Sequence, residues 1–113
     1  MKDCIFCKII KGEIKSDFLY ETDSFVVIND ISKMAKKHFL IIPKMHFAHL
    51  KDIDEEKSKI VAEIMLRMKE IEKVLGLEQG YRLVINQRQN GGQTVNHLHM
   101  HILGGEKLSD KFN

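Results

Sequence analysis

The chain has 113 residues, 43% hydrophobic and 30% charged, with 18 lysines and arginines against 16 acids and a net charge of +2. That length suits one core, so a single domain over residues 1–113 is expected, and the interspersed charges exclude the dense basic stripe of a dedicated nucleic-acid binder. No apolar run approaches the ~20 residues that span a bilayer and the N-terminus lacks a signal-peptide core, so a cytoplasmic protein with no membrane partner is expected.

In chain order, Ile5, Phe6, Ile9 and Ile10 have helical spacing and predict a short helix over 4–10, ended by Gly12. Residues 18–21 and 25–28 read as strands around an Asp23-Ser24 turn. After a polar loop whose Lys33, Lys36 and Lys37 are expected to be solvated, 38–43 form a strand stopped by Pro43, the only proline. Asp54, with Glu55 and Glu56 behind it, opens a long helix whose stripe is Ile60, Val61, Ile64, Met65, Met68, Ile71 and Leu75, the two methionines read as core. Gly76 suits its C-cap. Residues 82–87 form another strand, and Asn90-Gly91-Gly92 turns the chain into the last one. Short connections favour antiparallel pairing. The fold class is therefore α+β: an antiparallel five-stranded meander, with one short N-terminal helix and one long helix packed on one face.

The last strand carries the chemistry. His97, His99 and His101 alternate with Leu98, Met100 and Ile102, so on a strand the histidines share one face, neighbours ~7 Å apart, while the apolar residues face the core. A row of groups that change charge near neutral pH needs a task. Gly92-Gln93-Thr94 precedes it, offering backbone N–H groups, an amide and a hydroxyl to an anion, although Asn-Gly-Gly is also an ordinary hairpin turn. Together the row and the loop point to phosphate chemistry. Cys4 and Cys7, spaced C-x-x-C in a cytoplasmic chain, suggest metal or redox work. A tetrahedral site needs two further ligands, which histidines can supply, His46 and His49 among them. Asp30 is either a ligand for hydroxyls or an Asx-turn residue ahead of Ser32.

His97-Leu98-His99-Met100-His101 resembles the triad of the histidine triad superfamily of nucleotide hydrolases and transferases. Gly91-Gly92-Gln93-Thr94 before it and Ile102-Leu103-Gly104-Gly105 after it resemble the Hint branch. Cys4-Ile5-Phe6-Cys7, Asn29-Asp30-Ile31-Ser32, His38 through His46 and Gly80-Tyr81-Arg82 follow that pattern in order. The resemblance implies the same fold in a two-fold dimer. It implies His99 as a nucleophile that forms a nucleotidyl-histidine, His101 as a donor to the phosphoryl or leaving-group oxygen, and His38 as the residue that orients them. It also implies Asp30 on the ribose, Asn86 with the Gly92-Gln93-Thr94 loop on the α-phosphate, and an apolar base slot of Ile5, Phe6, Ile9, Ile14, Ile28 and Leu40. Thr94 stands where serine is commoner and keeps the hydroxyl.

Members with this paired-cysteine start hold structural zinc on residues matching Cys4, Cys7, His46 and His97, which removes His97 from direct catalysis. The implied activity is hydrolysis of purine nucleoside 5′-phosphoramidates to the monophosphate. Two alternatives are a dinucleoside polyphosphate hydrolase and a nucleotide-binding regulator with little turnover. The C-terminus departs from the animal Hint pattern: residues 106–113 contain no tryptophan, and only Phe112 is available to pack on a neighbouring subunit.

Overall fold

A computed structural model describes residues 3–112. Helix α1 spans Ile5–Ile10, with Cys4 as its N-cap. Strands β1 (Tyr20–Glu21), β2 (Phe25–Asn29) and β3 (Lys37–Pro43) follow, then a single 3₁₀ turn at Leu50–Asp52 and the long helix α2, Glu55–Leu75. Strand β4 (Tyr81–Val84), a one-turn helix α3 (Arg88–Gly91) and β5 (Met100–Gly104) complete the chain. The five strands form one antiparallel sheet in the order β1-β2-β3-β5-β4. The meander runs through β1, β2 and β3. Helix α2 then carries the chain past the sheet to its far edge, and β5 returns into the gap between β3 and β4.

Strands β2 and β3 are apolar along nearly their whole length because both of their faces are covered. One face carries Phe25, Val27, Phe39, Ile41, Met100 and Ile102, packed against Ile60, Ile64, Met68, Ile71 and Leu75 of α2. The other carries Val26, Ile28, Leu40 and Ile42, packed against Phe6 and Ile9 of α1. The two helices therefore lie on opposite faces, not together on one as expected. Helical spacing shows that α1 has an apolar stripe but not which side of a sheet it covers.

Asp54 caps α2 through its side chain to the Lys57 amide, and Gly76 ends it in a left-handed turn, φ 68°. Lys37 is not part of a solvated cluster: its Nζ donates to the carbonyls of Leu75 and Gly76 at 2.9 and 3.1 Å, where the helix dipole favours a cation. The buried positions of α2 recur every three or four residues, and each fully buried aliphatic side chain contributes about 1.5–3 kcal/mol. Met65 lies outside that seam, 45% exposed beside Leu66, so of the two methionines only Met68 is core. The predicted strand at 82–87 stops at Val84, and the Asn-Gly-Gly turn is the end of α3 with Gly92 left-handed at φ 79°.

Candidate active site and metal centre

All the chemistry lies on the α1 face. In the β5 register His101 stands between Leu40 of β3 and Val84 of β4, two pairs along from His38 opposite Leu103 and so on the same face of the sheet. His97 and His99 do not lie on β5, which begins at Met100. They occupy the irregular approach to it, where the Leu98 amide bonds to the Phe47 carbonyl at 2.7 Å. The expected half-open row is therefore closed in: His38, His97 and His99 are buried, and His101 is partly so. Phe6 of α1 meets His99 edge-on, ring centroids 4.9 Å apart.

Each of these imidazoles has a defined partner. The Met34 amide donates to His38 Nδ1 at 3.1 Å, so neutral His38 carries its proton on Nε2. That nitrogen is 2.8 Å from His101 Nδ1 and donates to it. His101 then holds its own proton on Nε2. On the other side, His99 Nδ1 lies 2.7 Å from the carbonyl of His97, to which it must donate, leaving a lone pair on His99 Nε2. The site thus presents one nucleophilic or basic nitrogen beside one donor, with ring centroids 5.2 Å apart.

Asp30 does two things at once. Its Oδ1 accepts from the Ser32 amide at 2.8 Å, the Asx turn, while Oδ2 lies 3.3 Å from His38 Nε2 and 3.8 Å from His101 Nδ1. Burial pulls the pKa of His38 and His101 down, and the Asp30 carboxylate partly opposes this in both.

The loop residues depart from expectation. The amides of Gly91, Gly92 and Gln93 already donate to the carbonyls of Gln87, Gln89 and Arg88. The Gln93 side chain is likewise committed, donating to the carbonyls of Ala48 and Val95 at 2.9 and 3.1 Å and accepting from the Arg88 amide at 2.9 Å. The α3 turn consumes these groups internally, so neither Gly92 nor Gln93 offers an anion the free donor that the motif suggested. Thr94 stands exposed just beyond them, and Asn86 lies half-buried at the exit of β4. Of the apolar slot residues, Phe6, Ile9, Ile28 and Leu40 are core, while Ile5 and Ile14 remain exposed. Phe112 is 88% exposed, its ring 5.0 Å from the Arg82 guanidinium of the same chain, where the Ser109 carbonyl also accepts from Arg82.

Cys4, Cys7, His46 and His97 converge so that their donor atoms all lie within 4.8 Å of one another. Cys4 Sγ is 3.3 Å from His97 Nδ1, Cys7 Sγ is 3.3 Å from His46 Nδ1 and 3.6 Å from His97 Nδ1, and the two Nδ1 atoms are 3.1 Å apart. A tetrahedral ion with bonds of ~2.05 Å to nitrogen and ~2.3 Å to sulfur requires donor separations of roughly 3.3–3.8 Å. The cluster is close to that shape. His97 Nε2 donates to the Pro43 carbonyl at 2.8 Å, which leaves the Nδ1 lone pair facing the sulfurs. These residues fit a metal ion. His49 is not among them; it caps the 3₁₀ turn, with Nδ1 3.5 Å from Asp52.

The groups that sequence reasoning missed are mostly backbone: the Met34 amide and the Pro43 and His97 carbonyls. No residue type signals them. Gln87, whose side chain accepts from the Leu50 amide at 2.8 Å, is another.

The HIT domain family model matches residues 11–108. An uncharacterised HIT-like protein of Synechococcus elongatus is 43% identical over 108 residues, 96% of this chain and 95% of its own length. Among solved structures, a HIT family hydrolase from Clostridium thermocellum superposes with a TM-score of 0.93 at 42% identity, covering 100% of this chain and 99% of that one. A histidine triad protein from Clostridium difficile gives 0.91 at 43% identity, covering 98% and 97%.

Burial sets the direction of a pH effect. Desolvation lowers the pKa of His97 to about 4 and lowers those of His38 and His101. With folded values below the ordinary 6.5, the unfolded chain takes up protons first as the pH drops. Stability is then full above about pH 6.5 and declines towards pH 4. Denaturant unfolding of metal-stripped protein should show a falling midpoint across that window, and a midpoint that rises on acidification would contradict these environments.

Proposed function

The chain belongs to the HIT domain family, and on that premise we propose that it is a nucleotide hydrolase that cleaves purine nucleoside 5′-phosphoramidates. The observation that carries this reading is the pair of opposed tautomers: a lone pair on His99 Nε2 beside a proton on His101 Nε2. His99 Nε2 attacks the α-phosphorus, a P–N bond to the imidazole forms, and the P–N bond to the leaving amine breaks. His101 Nε2–H donates to the phosphoryl or leaving group as charge develops there. Water then displaces His99 and releases the nucleoside monophosphate.

His38 holds the His101 tautomer. The Thr94 hydroxyl and Asn86 side chain meet the phosphate, beside the turn built by Gly92 and Gln93. Asp30 keeps acceptor capacity on Oδ2 for the ribose hydroxyls. The base lies against Ile5 and Ile14, with Phe6, Ile9, Ile28 and Leu40 as the floor. Apolar contact of this kind discriminates weakly between purines.

We assign the metal as zinc, structural because four protein ligands leave no open position. Its thiolates need a reducing compartment, which favours the cytoplasm. We further propose a two-fold dimer, supported by the open edge of β4 and by exposed Met65, Leu66 and Val74 on α2.

Adenosine 5′-phosphoramidate should be turned over and a diadenosine polyphosphate should not; the reverse would favour the polyphosphate hydrolase. His99→Ala should lower kcat by several orders of magnitude, and His101→Ala by on the order of 10²–10³. A nucleotidyl label trapped at high pH should map to His99. Turnover within tenfold of wild type in His99→Ala would falsify the assignment. Protein purified without added metal should contain about one zinc per chain, with Cys4→Ser losing both zinc and several kcal/mol of stability; unchanged melting would remove the metal. Light scattering should give about twice the 13.1 kDa chain mass, and a monomer at every concentration would remove the dimer.

A further inference from the structure

Gln93 stands in the loop ahead of the histidines, yet its amide faces inward. Its Nε2 donates to the Ala48 carbonyl at 2.9 Å and to the Val95 carbonyl at 3.1 Å, while Oε1 accepts from the Arg88 amide at 2.9 Å. Two carbonyls on one end and an N–H on the other allow only this orientation of the amide. One side chain thus ties together three backbone segments. The first is the loop after His46, the second is the start of α3, and the third is the run from Thr94 into His97.

The three points it holds need holding. Arg88 has φ 56°, the only positive φ among the described non-glycine residues, in a region that side chains with a Cβ avoid. Its amide is the one that Gln93 Oε1 receives. At the other end, Val95 lies two residues before His97, whose carbonyl sets the His99 tautomer and whose ring belongs to the metal cluster. Beyond it the Leu98 amide is anchored on Phe47. Thr94 and Asn96, both exposed, lie between these anchors. Gln87 makes a parallel tie from the other side, accepting from the Leu50 amide at 2.8 Å.

We propose that Gln93 is a positioning residue, a clasp that locks the Arg88–Asn96 segment onto the Phe47–Ala48 loop and acts on the nucleotide through Thr94 rather than by touching it. This rests on the reading of the site as a nucleotide hydrolase. With the clasp released, the segment samples conformations in which Thr94 no longer faces the phosphate, so binding weakens. The His38–His101 chain and the His99–His97 bond contain no atom of Gln93, so the chemical step is largely spared.

Gln93→Ala and Gln93→Glu separate these effects. Glutamate keeps an acceptor for Arg88 but loses the donor to both carbonyls. Amide hydrogen exchange in the nucleotide-free proteins should show the Arg88 amide exchanging at least about tenfold faster in Gln93→Ala and staying protected in Gln93→Glu. The Leu98 amide should stay protected in both, which also reports that the fold is intact. For adenosine 5′-phosphoramidate, Gln93→Ala should raise KM about ten- to a hundredfold while kcat changes less than about tenfold. Unchanged Arg88 exchange in Gln93→Ala overturns the clasp, and a raised KM beside unchanged exchange would mean direct contact with the nucleotide. A loosened loop with wild-type KM overturns the positioning role. The exchange measurement needs no turnover. An inert wild type in which Gln93→Ala still frees Arg88 would remove the hydrolase reading and leave the clasp.

Discussion

A neutral imidazole has one donor and one acceptor, so what a histidine can do with one nitrogen is decided by what already occupies the other. In this protein the occupying partners are nearly all backbone. The Met34 amide on His38 propagates through the His38–His101 bond and ends as a proton on His101 Nε2. The His97 carbonyl on His99 Nδ1 ends as a lone pair on His99 Nε2. Two identical side chains, two residues apart, are given opposite roles by hydrogen bonds made on their far sides. Burial supports this by pulling the His38 and His101 pKa values down, which keeps them neutral and their tautomers defined.

The sheet divides labour between its faces. On one side α2 lays a seam of isoleucine, methionine and leucine over β2, β3 and β5, and that face is core alone. On the other side the short α1 leaves room beside it for the histidines, of which His38, His97 and His99 are buried and His101 is partly so. The small second cluster of Phe6, Ile9, Val26, Ile28, Leu40 and Ile42 fixes where α1 sits. It thereby brings Cys4 and Cys7 to within reach of His46 and His97, residues far away in sequence. Metal binding would strengthen the same attachment, since two ligands come from α1 and its cap and two from loops bordering the sheet.

His97 is where these systems meet. Its ring turns Nδ1 toward Cys4, Cys7 and His46, its Nε2–H is anchored on Pro43, and its carbonyl orients His99. The segment leading into it is held by Gln93 and leaves through the Leu98–Phe47 bond. A triad residue with no free nitrogen for a substrate thus still determines the geometry of its neighbour. The same economy holds for Asp30, which closes a turn with one oxygen and faces the His38–His101 pair with the other.

Residue types and spacing by themselves determined α2 with its Asp54 and Gly76 caps, the apolar runs of β2 and β3, and the ordered motifs that carried the family resemblance, because local propensity and periodicity act over a few residues. The family resemblance implied Cys4, Cys7, His46 and His97 as one set, and the fold brings those four together. Residue types and spacing did not separate Met65 from Met68, or place α1 and α2 on opposite faces, because a stripe does not record which surface it will meet. They read Gly-Gly-Gln-Thr as an open anion loop, whereas the one-turn helix α3 uses its amides and Gln93 turns inward. Nor could they assign tautomers. Those depend on Met34, Pro43 and His97 through main-chain atoms that every residue possesses, so only the tertiary structure, by bringing particular amides and carbonyls against particular ring nitrogens, decides which ring nitrogen carries a proton and which a lone pair.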